Sequence, residues 1–118
     1  MAHGEFLRHE SDDPELASHV MHDYRNADLD PQLRAMLDYA TKLTREPTNM
    51  QEADVLALRE HGLTDEQILS VALIACTFNF MTRLADGLGV EVPEERQAYV
   101  DTWLDSPARD QEWLMKQK

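Results

Sequence analysis

Cysteine is the scarcest reactive residue in this chain: Cys76 is the only one in 118 residues, which excludes an internal disulfide and any metal site built from several thiolates. Basic residues are few as well. Eleven Lys and Arg stand against 23 Asp and Glu, a formal charge of −12. Nucleic-acid affinity comes largely from Lys and Arg on phosphate, so this balance excludes a phosphate-gripping surface and describes a solvated acidic exterior. With only four glycines, there is no glycine-rich phosphate loop, and no GxSxG elbow occurs. No alternating strand pattern of useful length, repeat or low-complexity stretch is found, and nothing at the start reads as a cleaved signal peptide. These absences lead to the expectation of a cytoplasmic protein with no cofactor, no nucleic-acid partner and no membrane partner.

What is present is enough apolar material, 42% of the residues, to build the core of one domain. Between Ile68 and Met81 eleven of fourteen residues are apolar, so a helix here is apolar nearly all round and is expected to be surrounded. Thr64 with Gln67 forms a capping-box pattern, Asp65 and Glu66 put acid in the first turn, and Gly89 suits a left-handed C-terminal cap. A bilayer span is set aside, because the run is shorter than about 18 residues and then meets Arg83 and Asp86. The stretch is read as the buried central helix of an all-α fold.

The remaining helices take their boundaries from proline and glycine. Asp13 and Pro14 open a helix to about Tyr24, with Leu16, Val20 and Met21 on one stripe. Asp30 and Pro31 open the most regular one, where Leu33, Met36, Leu37, Ala40 and Leu43 recur at helical spacing up to Pro47. A shorter helix spans about Gln51 to Glu60, and Gly62 ends it. After Pro93, Tyr99 with Trp103 and Val100 with Leu104 indicate another, closed by Ser106 and Pro107. A helical domain over 1–105 and a tail over 106–118 follow. Residues 1–10 read as the last turns of a helix already under way.

Three groups carry polar chemistry. On the central helix Cys76, Asn79, Arg83 and Asp86 are three, four and three residues apart and share a stripe, so Arg83 can pair with Asp86 and Asn79 can reach Arg83 or a neighbouring backbone. The stripe lines a pocket or subunit contact, or fixes how the next helices dock. Cys76 itself, in mid-helix among apolar residues, is expected to be buried and inert. Glu15, His19, His22 and Asp23 have a spacing that permits metal ligands on one helix face, but an acidic, solvated face explains them better and no metal is expected.

Read together, HGEFLRHE, LRAMLDYATKLTREP, HGLTDEQIL and FNFMTRLADGLGV resemble the peroxidase-related branch of the alkylhydroperoxidase D-like (carboxymuconolactone decarboxylase-like) superfamily. The most specific piece, FNxxxRLADxLGV, is carried by Phe78, Asn79, Arg83, Leu84, Ala85, Asp86, Leu88, Gly89 and Val90. The resemblance covers most of positions 3 to 104. It implies an all-helical AhpD-like fold, homo-oligomers, and, in active members, a dithiol in a CxxCxxxH motif preceded by a glutamate. One thiolate attacks the peroxide, the second resolves the sulfenic acid as a disulfide, and histidine with glutamate moves the protons.

His3 matches the motif histidine and is the catalytic candidate, but the second cysteine of the motif falls four residues earlier, before Met1. The chain therefore resembles the C-terminal two-thirds of a family member, an N-terminally truncated form. Asn79, Arg83 and Asp86 are expected to support the site or the oligomer contact. Small-molecule peroxide and a dithiol reductant become partners only in a longer form. The expectation is a peroxidase-related protein inactive as given; the alternatives are a non-enzymatic helical oligomerisation module and a decarboxylase-like enzyme using His3.

Overall fold

The structure is a computed structural model that describes residues 7, 9–13 and 15–98, the side chains of Ser18 and His22 excepted. All regular secondary structure among the described residues is helical. They fall into two compact units: Leu29–Val90 forms one, and the described residues before and after it form the other.

In the flanking unit, helix α1 (Leu16–Asp23) starts two residues later than Pro14, the position expected from the sequence. Asp13 still organises its start, its carboxylate accepting from the Glu15 N–H at 2.9 Å and its carbonyl from the Leu16 N–H at 3.2 Å. Ala17 and Ala27 are buried. A 3₁₀ turn over Tyr24–Asn26 follows, held by the Asp23 carboxylate, which accepts from the Arg25 N–H at 3.0 Å. The helix expected after Pro93 begins as a 3₁₀ turn, Glu94–Arg96, and is helical at Gln97 and Ala98. Its aromatic pair, the tail over 106–118 and the boundary at 105 lie outside the described residues.

The Leu29–Val90 unit contains three α-helices, each bounded as the sequence dictates, and a 3₁₀ turn over Pro47–Asn49. Helix α2 (Pro31–Arg45) has Pro31 in its first turn, where a missing N–H costs nothing, and the Asp30 carboxylate accepts from the Leu33 N–H at 3.0 Å. Helix α3 (Glu52–Glu60) begins with the Gln51 N–H donating to the Asp54 carboxylate at 2.7 Å. Helix α4 (Asp65–Gly87) carries the expected capping box. The Thr64 N–H donates to Gln67 Oε1 at 2.8 Å, and Thr64 Oγ1 accepts from the Gln67 N–H at 3.3 Å.

Helices α3 and α4 stop by the same device. After α3, the Gly62 N–H donates to the Arg59 carbonyl and the Leu63 N–H to the Leu58 carbonyl, with Gly62 at φ +85°. After α4, Gly89 donates to Asp86 and Val90 to Ala85, with Gly89 at φ +64°. Both are Schellman closures, which require a left-handed residue at this point and satisfy carbonyls the helix leaves open. In the first, Leu58 and Leu63 are brought together by the closure. With Ile68 they form the buried centre, against which Ala35, Met36, Tyr39, Val55 and Val71 pack.

Among the described residues helix α4 is covered on one side only, contrary to the expectation from its composition. Ile68 is its only buried residue, whereas Leu73, Ile74, Phe80 and Met81 are all more than half exposed. The cause is geometric. From Ile68 to Asn79 the positions withdrawn from solvent are Ile68, Val71, Ala72, Ala75 and Asn79, which share one face of a helix, so α2 and α3 cover one side only. A unit of this size has too few elements to wrap a 23-residue helix on all sides. Two further expectations fall with this one. Cys76 is exposed rather than entombed, and α4 is long and apolar enough to meet the length and composition requirement for a membrane span, so its length does not exclude one.

Candidate functional site

The polar chemistry of the Leu29–Val90 unit gathers where α2 faces α3 and α4. Midway along α4, Asn79 Nδ2 donates to Thr44 Oγ1 on α2 at 3.0 Å, and Thr44 Oγ1 in turn donates to the Ala40 carbonyl at 2.8 Å. This run of donors pins α4 to α2 above the apolar centre. The Arg83 guanidinium donates to the Asn79 carbonyl at a long 3.4 Å, and no ion pair joins it to Asp86 among the described residues. Both are exposed. An Arg83–Asp86 pair was expected because a buried charge needs a partner; once the residues lie in water that requirement lapses. Of the stripe Cys76–Asn79–Arg83–Asp86, the structure therefore ties only Asn79 to another helix and leaves Cys76, Arg83 and Asp86 exposed.

Two residues that the sequence did not single out, Lys42 and Asp54, are the best-anchored polar groups here. Lys42 Nζ on α2 reaches both carboxylate oxygens of Asp54 on α3, at 2.7 and 2.8 Å. The hydrogen bond from Lys42, and then that from the Gln51 N–H, hold the Asp54 carboxyl below the usual carboxylate range. Tyr39, one turn before Lys42, packs on the core cluster. Burial pushes its phenol up, and negative charge on the Cys76 sulfur and on the Asp54 carboxylate adds to that by disfavouring a further negative charge beside it. Lys42 belongs to a stretch already quoted for its resemblance, and Asp54 sits three residues after Gln51 in a capping pattern. Their pairing depends on how two helices dock, which spacing along one helix does not reveal.

The Asp54 interaction has a definite pH sign. A folded-state pKa below the unfolded one adds stability that is present above the unfolded value, about 4, and is lost as pH falls through the lower folded value. Asp54→Asn keeps the shape and removes the charge. Urea unfolding from pH 7 to pH 2.5 should show the wild type more stable than Asp54→Asn at neutral pH, with the gap closing below about pH 4. A gap that stays constant across that range contradicts the assignment.

On α1 the sequence-predicted ligand set does not assemble. Glu15 and His19 are exposed, and both carboxylate oxygens of Asp23 accept from the Arg25 guanidinium at 2.7 Å. The His22 side chain is not among those described, and neither is His3. No three His, Cys, Asp or Glu side chains converge as a metal would need among the described residues.

The described residues of the Leu29–Val90 unit are thus an all-helical assembly whose long apolar helix is tied to its neighbour through an asparagine. No family model and no curated protein matches the chain. Solved structures do. An uncharacterized peroxidase-related protein from Silicibacter sp. TM1040 is 38% identical, with a TM-score of 0.72, over 80% of this chain and 49% of its own. The alkylhydroperoxidase AhpD core of an uncharacterized peroxidase-related protein from Ralstonia eutropha JMP134 is 40% identical, with a TM-score of 0.70, over 80% of this chain and 50% of its own. The chain belongs to the AhpD-like, peroxidase-related family. It spans about half the length of these relatives.

Proposed function

We propose that this polypeptide is a helical scaffold segment of an AhpD-like peroxidase-related protein, cytoplasmic and homo-oligomeric, that does not by itself reduce peroxide by the dithiol route. The observation that carries the reading is sulfur chemistry. That route needs an attacking thiolate and a resolving thiol within reach, and the chain holds Cys76 alone. Cys76 is exposed and can meet peroxide, but a sulfenic acid formed there has no thiol in the same chain to condense with. In a longer form that supplies the dithiol, the Asn79–Thr44 tie holds α4 and α2 in place behind the reacting groups, and the substrates are a small-molecule peroxide and a dithiol reductant.

A peroxide-consumption assay with a dithiol donor tests this. The wild type should show no sustained peroxide turnover above that of Cys76→Ser. Sustained turnover abolished by Cys76→Ser overturns it. The second reading, a helical oligomerisation module without redox chemistry, is favoured by the exposed side of α4.

A further inference from the structure

We draw no further inference here: the strongest candidate, the outward apolar side of α4 running through Leu73, Ile74, Phe80 and Met81, carries nothing, because nothing in the structure shows what covers it.

Discussion

Leu58→Ala should lower the stability of the Leu29–Val90 unit by about 2–5 kcal/mol, the range for truncating a fully buried leucine. Leu58 is 1% exposed and is the largest fully buried side chain among the described residues. It touches the core from α3, while its carbonyl accepts the Leu63 N–H that closes the α3–α4 turn. A unit of this length holds on the order of 3–9 kcal/mol in total, so the variant is expected to sit near its unfolding midpoint at 37 °C. Leu56→Ala, on the same helix at 43% exposed, is the control and should change stability by less than about 1 kcal/mol. Urea unfolding followed by circular dichroism at fixed protein concentration separates the two, the concentration being fixed because association adds to apparent stability. Equal costs at both positions contradict the packing of α2, α3 and α4 around Leu58.

The ends of the elements were legible in the sequence because they are local. Asp30–Pro31, the Thr64–Gln67 box, Gly62 and Gly89 each fix a backbone conformation through residues within three or four positions, and each does so in the fold. Burial was not legible in the same way. From Ile68 to Met81 composition says only that apolar surface must be covered by something, and the described residues leave most of α4 exposed where a buried helix was expected. Cys76 was misplaced for the same reason, since its inertness was inferred from its neighbours in sequence rather than from what lies above it. The Lys42–Asp54 pair went unseen because its members are twelve residues apart on different helices. Asn79 was noticed, but its partner Thr44, 35 positions away, becomes visible only once α2 and α4 are docked.

Substituting alanine at three glycines should produce opposite signs. Gly62→Ala and Gly89→Ala each force a side chain into the left-handed region, at φ +85° and +64°, which costs about 1–2 kcal/mol per residue. No atom lies within 4 Å of a Cβ at Gly89, and the nearest at Gly62 is Gln32 Nε2 at 3.6 Å, so the cost is in the backbone rather than in collision. The two sites nevertheless differ in consequence. Gly62 sets the turn that delivers Leu63 to Leu58, and any relaxation there is transmitted to the core, whereas Gly89 closes the exposed end of α4. Gly62→Ala should therefore be the more damaging. Gly87 is helical, has no positive φ and has nothing within 4 Å of its Cβ position. There alanine removes backbone freedom from the unfolded chain and should stabilise by about 0.5–1 kcal/mol. Thermal unfolding of the three variants side by side checks the order Gly62→Ala below Gly89→Ala below wild type below Gly87→Ala. A stabilised Gly62→Ala or Gly89→Ala breaks the Schellman assignment at that site.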